Sequence, residues 1–319
     1  MSFESDFNKK FKPLLGRLNT KEARLRSLIL SSLKTGSKSS VYWNKLRREV
    51  DVLYSEMNVL FSSWSKEEIP KRYRNSLREI NSAIVARKTI INTPVKTITE
   101  MLTSKGSQSL SAMLYMEAND TFLAALNSGR SSVIRFTRVT QQAILAESEI
   151  NLAIMQGLAD GGNLGKASRI LSGEFWQKAF VSVDNERFIQ AGRYKYKPSY
   201  YAKMVARTKF HEAQSVAAMS QAKNYGTDLV QVSSHNTKTR ICIPYEGKIY
   251  SIAGGNKMFP PLFDTPPYHP NCLHLLFPTF VSGMEAQGTL EGFSDFSKGK
   301  INKPPVPKSF IPVSQRELV

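Results

Sequence analysis

Two short segments of this 319-residue chain hold five of its six histidine and cysteine side chains. All four histidines (His211, His235, His269, His274) and both cysteines (Cys242, Cys272) fall within 64 residues. The first segment runs from Ser233-Ser234-His235 to Arg240-Ile241-Cys242. The second is His269-Pro270-Asn271-Cys272-Leu273-His274. His269-x2-Cys272 is a metal-ligand spacing, and His235-x6-Cys242 supplies a second N/S pair across a turn. Together His235, Cys242, His269 and Cys272 offer two nitrogens and two sulfurs, the donor set of a closed, structural, tetrahedral zinc. His274 then orients the set from outside or replaces one of the four. A structural zinc is the one cofactor the sequence suggests.

Two other readings of the same residues stay open. They form a hydrogen-bonded His/Cys core without metal, with Cys242 acting as a small buried apolar residue. Or a Cys–His pair is nucleophilic, with Asp228, Glu246 or Asp264 orienting a histidine. No GxSxG, HExxH or phosphate-loop pattern supports chemistry. The first 210 residues contain no histidine. The expectation is a protein that is not an enzyme.

These residues sit in a stretch rich in turns. Leu229-Val230-Gln231-Val232 and Lys248-Ile249-Tyr250-Ser251-Ile252 read as short strands, the second leaving through Gly254-Gly255. Pro260, Pro261, Pro266, Pro267, Pro270 and Pro278 mark compact irregular structure. Upstream, Tyr201 to Lys223 is an Ala- and Met-rich helix ended by Asn224-Tyr225-Gly226. Residues 192–200 read as a basic loop with packing tyrosines. Residues 281–319, with Pro304, Pro305, Pro307 and Pro312, read as an extended tail.

The rest reads as helices. Lys21 to Leu33 and Val41 to about Phe61 carry apolar stripes at helical spacing. Pro70 is expected to start a further helix. Val95 to Leu102, Leu110 to Leu126, Thr137 to Met155 and Leu164 to Phe180 continue the pattern, with Gly129 as a left-handed exit. Phe175 and Trp176 are expected core anchors. The fold class is α+β: a mainly helical N-terminal two-thirds, a small β and irregular Pro-rich C-terminal module, and the tail. The expected divisions are 1–134, 135–280 and 281–319.

Charge narrows the partners. The chain has 44 Lys and Arg against 26 Asp and Glu, net +18. Residues 1–100 alone hold 20 against 10. Such a surplus suits a polyanion, whose neutralised phosphates release counterions, or an acidic protein. Arg47, Arg48, Lys71, Arg72, Arg74 and Arg78 are the candidate DNA or partner contacts. Lys71 to Arg78 fall in the opening turns expected after Pro70, the wrong end for the helix dipole, which suggests an external anion. Arg207 is expected to pair with Asp228 or Glu246 and join the helical part to the Pro-rich part. No apolar run reaches membrane-spanning length, and the N-terminus lacks a signal-peptide pattern. With two cysteines, the expectation is a soluble protein of a reducing compartment.

From about residue 135 to 280 the chain resembles the minor head proteins of tailed bacteriophages, the Mu-type F-like head morphogenesis family. Phe136-Thr137-Arg138 and Tyr201-Ala202-Lys203-Met204-Val205-Ala206-Arg207-Thr208 carry the resemblance, followed by Gly226-Thr227-Asp228 and Val232-Ser233-Ser234-His235. Cys242-Ile243-Pro244-Tyr245-Glu246-Gly247-Lys248-Ile249-Tyr250, Pro261-Leu262 and His269-Pro270-Asn271-Cys272-Leu273-His274 complete it. Members often have a cysteine pair before the Gly-Lys step. Here Cys242 matches the second, and Thr239 stands where the first would be. The resemblance implies a virion protein inside the head near the portal, made in the host cytoplasm. It would act in head assembly, DNA packaging or ejection. Its implied partners are the portal protein, the major capsid or scaffolding protein, and packaged double-stranded DNA, with no membrane. A DNA-binding or nuclease-like accessory protein and an ejected internal protein are the alternatives.

Overall fold

The computed structural model describes residues 3–33, 39–86, 93–159, 188–191, 194–256 and 258–280. Most of the turn expected at 35–40, the helix expected at 164–180 with Phe175 and Trp176, and the tail lie outside them. Helices come first: α1 (Phe3–Leu33), α2 (Ser40–Ala86), α3 (Ile98–Thr103) and α4 (Lys105–Ala159). Strands β1 (Ile189–Ala191) and β2 (Tyr194–Tyr196) pair antiparallel, so part of the expected basic loop is a hairpin strand. Helix α5 (Pro198–Asn224) precedes β3 (Leu229–Val232), β4 (Ile249–Ser251) and β5 (Leu276–Pro278). The class is therefore α+β as expected: the described residues up to 224 are mainly helical apart from the β1–β2 hairpin, and a small β module follows. No helix among the described residues is long and apolar enough to cross a membrane.

Three expected helix boundaries are absent. Helix α1 begins at Phe3 rather than Lys21. Helix α2 runs through Pro70 instead of restarting there. Proline removes one helical donor, normally at a cost of about 3 kcal/mol. Here Met57, Phe61, Ser65, Ile69, Tyr73 and Leu77 are all buried at four-residue steps, and this stripe carries the helix across the defect. Helix α4 likewise continues through Gly129. That glycine answers a close approach: the Phe188 carbonyl oxygen lies 1.9 Å from where a Cβ would stand.

The chain forms two compact units. One takes the described parts of Asn8–Ser62 and Thr121–Lys203, and the expected boundary at 134 falls inside it. Its core is Phe11, Leu14, Leu18 and Leu25 from α1, Trp43, Leu46 and Val50 from α2, and Phe122 from α4. Phe61 and Phe122 meet at 4.4 Å between ring centroids. The buried Glu22 carboxylate accepts the Ser199 N–H at the start of α5, where a helix leaves donors unsatisfied.

The other unit takes the described parts of Met1–Phe7, Ser63–Asp120 and Met204–Val319. Here α5 is the central support. Its buried Ala206, Ala213, Ala217, Ala218 and Ala222 allow neighbours close to its backbone. It ends in a left-handed cap: Gly226 has φ 69°, and Thr227 N–H reaches the Ala222 carbonyl at 3.0 Å. The sheet order is β4-β3-β5, antiparallel throughout, with β3 in the middle. The sequence pattern missed β5. Gln214 of α5 covers its edge, donating to the Leu276 carbonyl at 2.6 Å and accepting the Leu276 N–H at 3.1 Å. One amide thus stands in for a fourth strand at that residue.

Candidate metal centre

Two turns leave the sheet and meet. In the first, Cys242 N–H donates to the Thr239 carbonyl at 2.9 Å and Tyr245 N–H to the Cys242 carbonyl at 2.9 Å. In the second, Cys272 N–H donates to the His269 carbonyl at 3.0 Å. Asn271 takes φ 69° there, a conformation that asparagine tolerates better than most residues. Tyr245 and Tyr268 stack at 4.1 Å beside the junction. Tyr250 adds a hydroxyl bond to the Pro244 carbonyl at 3.1 Å.

The meeting places one ligand atom each of Cys242, His269 and Cys272 within 4.8 Å of one another. Both cysteines are buried and are free thiols. Two sulfurs on one zinc stand roughly 3.8 Å apart, so the donor types and spacing fit with small closure. His269 Nδ1 lies 2.8 Å from the Pro270 carbonyl, which makes it the protonated nitrogen and leaves Nε2 as the donor. Burial pushes the Cys242 thiol up to about 12, and nearby Cys272 adds to the rise. A divalent cation reverses such a shift, because a coordinating thiol is deprotonated.

His235 is not part of the set. Its ring nitrogen Nε2 lies 2.7 Å from the Ser233 hydroxyl, and its own segment is exposed. The ring of His235 stays outside the group formed by Cys242, His269 and Cys272. Glu246 pins the start of the segment from His235 to Cys242 by accepting the N–H groups of His235 and Thr237. Burial alone would raise the Glu246 carboxyl, but those N–H groups outweigh it and hold it below the usual range. His274 is buried, with Nδ1 3.4 Å from Cys272 Sγ and Nε2 3.7 Å from Glu246 Oε1. It therefore bridges a ligand sulfur to the carboxylate that orders the first turn. Burial lowers its pKa, and the His235 charge works the same way.

Arg207 pairs with neither expected carboxylate. Its guanidinium contacts Glu4 at 2.7 Å and Asn271 at 3.3 Å, so it ties α5 to the second turn and to the start of α1. Asp228 is committed elsewhere, accepting the Ser251 hydroxyl and the N–H groups of Ala253 and Gly255. Burial works to raise the Asp228 carboxyl, and these donors more than offset it, so its pKa is lowered. His211 lies in the same unit against Phe3, ring centroids 3.8 Å apart. Burial, with Arg207 and Arg72 nearby, pushes its pKa down to about 3, so it is a neutral core residue.

The basic candidates separate by environment. Arg72 is only 5% exposed; it reaches Glu79 at 3.2 Å and lies 5.0 Å over the Phe3 ring. It is a packing residue, not a surface contact. Lys71 is engaged by Glu67 and Glu68 at 2.5 and 3.0 Å. Arg74 is half-buried, and Arg78 is exposed beside Asn75. In the other unit, Arg47 bonds Gln141 at 3.0 Å and Asn44 at 2.9 Å. Arg48 lines a shallow groove with Lys21, Arg24 and Lys45. Glu56 and Glu49 compensate Lys21 and Arg24 at 2.7 and 3.3 Å. Among the described residues, Lys45 and Arg48 have no such ion pair. The sequence reading missed Lys45, although its i, i+3 spacing to Arg48 places both on one helix face.

Residues 177–295, a little over a third of the chain, match a family model described as phage minor capsid protein 2. That part of the chain is homologous to a phage minor head protein family. It contains every residue of the Cys/His cluster and overlaps the stretch that resembles the head morphogenesis family. It leaves out α1 to α4 and their basic residues. No curated protein and no solved structure matches the chain.

Proposed function

We propose that this chain is a structural minor head protein of a phage capsid, stationed at the portal vertex inside the virion. There it aids head assembly, DNA packaging or ejection by adhesion rather than catalysis. The match of residues 177–295 to a phage minor capsid family is the observation that carries this reading. The net charge of +18 supports a place beside packaged double-stranded DNA. The protein partners are the portal protein and the major capsid or scaffolding protein.

The test is to count copies in procapsids, filled virions and particles that have released their DNA. The expected result is a few copies per particle, present before packaging and kept with the portal after release. Departure with the DNA would replace this reading with an ejected internal protein.

DNA contact in this reading goes to phosphates, since a packaged genome offers no single base sequence to read. Arg47, Arg48, Arg78 and Lys45 are the best placed, with Lys71 and Arg74 at the margin. Binding of purified protein to duplex DNA should weaken linearly with the logarithm of salt. Combining Arg47→Ala and Arg48→Ala should reduce that slope by about 0.9 for each phosphate no longer neutralised. A slope unchanged in the double variant removes these arginines from the interface.

Cys242, His269 and Cys272 would hold a structural zinc, which cross-links the two turns. His274 and Glu246 support that set from outside it.

A further inference from the structure

We infer that the metal centre keeps one coordination position open to a monodentate anion from outside the chain. This rests on the zinc reading above and goes beyond a closed structural site. Zinc with protein ligands at structural sites is nearly always four-coordinate. The chain brings three donors together, Cys242, His269 and Cys272.

All four histidines and both cysteines lie in described residues, so each histidine outside the group can be placed. His211 is packed on Phe3. His235 is held by Ser233. His274 has one ring nitrogen on Cys272 Sγ and the other facing Glu246. Glu246 has its carboxylate on the N–H groups of His235 and Thr237. None of these joins the group whose ligand atoms lie within 4.8 Å.

The surroundings suit an incoming anion. Zinc and two thiolates sum to zero charge, so a negative donor meets no net repulsion. Lys238 and Arg240, on the segment leading into Cys242, are exposed. Each buried cysteine is flanked by exposed neighbours, Ile241 (39%) and Ile243 (51%) at Cys242, Asn271 and Leu273 (48%) at Cys272. His269 itself is half-buried. A two-cysteine, one-histidine set with a vacant fourth position is a donor set of exchanging centres.

Cobalt(II) reports both layers of this inference. The full-length protein, stripped of metal and titrated with cobalt(II), should show sulfur-to-cobalt charge transfer in the near ultraviolet. It should also show visible bands of a tetrahedral site. Azide should then shift the visible bands saturably, with the charge-transfer intensity retained. Bands that stay fixed at saturating azide would show that the chain fills the fourth position, and would overturn the open site while leaving the zinc reading intact. No charge transfer on cobalt addition to folded protein would overturn both. Cys272→Ala should abolish the charge transfer from that sulfur, and Glu246→Gln should create no azide response that the wild type lacks. If Glu246→Gln creates an azide response absent from the wild type, Glu246 is the fourth ligand and the open site is refuted.

Discussion

Cys272→Ala and His269→Ala should each leave the purified chain without zinc, against about one zinc per chain in the wild type. Both should also melt at lower temperature. Binding to the folded state alone stabilises by about 4 kcal/mol when free metal exceeds Kd a thousandfold. The effect should be concentrated in the β module, where the zinc cross-links the two turns. His235→Ala is the informative companion. It should keep the zinc, since its ring bonds Ser233 and stands outside the three-donor cluster. The measurement is elemental analysis beside a thermal melt. Folded wild-type protein that takes up no zinc would leave a hydrogen-bonded core with Tyr245 and Tyr268 as the fastening. Zinc lost with His235 would restore the four-ligand set read from spacing.

Gly129→Ala should cost roughly 3–5 kcal/mol, the range in which a named structural clash is required. Alanine in place of a mid-helix glycine usually stabilises by about 0.5–1 kcal/mol. The sign reverses here because the new methyl would stand 1.9 Å from the Phe188 carbonyl oxygen. That oxygen is backbone, and it also accepts the Tyr54 hydroxyl at 2.6 Å. Neither α4 nor the segment entering β1 can step aside without exposing Phe188 and Ile189, which are 6% and 1% exposed. The hydroxyl bond would be strained as well. Gly16→Ala in α1 is the control. Its added Cβ meets nothing within 4 Å, so it should show the ordinary gain. Denaturant midpoints of the two variants decide the matter. A Gly129→Ala protein as stable as the wild type would mean that α4 and the Phe188 backbone can separate at little cost.

The amphipathic stripes of the second half of α1, of α2 and of α4 were legible from spacing, because burial of a helix face imposes a 3.6-residue period on its own sequence, and α5 was legible from its Ala- and Met-rich composition. So were β3, β4 and the cap at Gly226, where a left-handed backbone narrows the residue choice. Helix continuity was not. Pro70 and Gly129 are breakers by local rules, and each sits inside a helix because packing supplies what local propensity lacks or because a neighbour demands the missing Cβ.

The candidate site divides the same way. The concentration of histidine and cysteine in two segments is a property of the sequence, and so is the His269-x2-Cys272 turn. Membership is not, because it depends on which loops meet. Spacing alone put His235 with Cys242, while the fold turns it to Ser233 and leaves Glu246 to order the loop. Charge behaved likewise. Composition announced a basic chain, but Arg72 and Arg48 differ only in what the fold packs against them. One guanidinium is buried with Glu79 over Phe3, and the other is open on a groove. Residue type and period are local, so the sequence determined the elements and the stock of ligands. Pairing across roughly 30 to 200 residues is decided by burial of the whole chain, and only the tertiary structure decided which residues share a site.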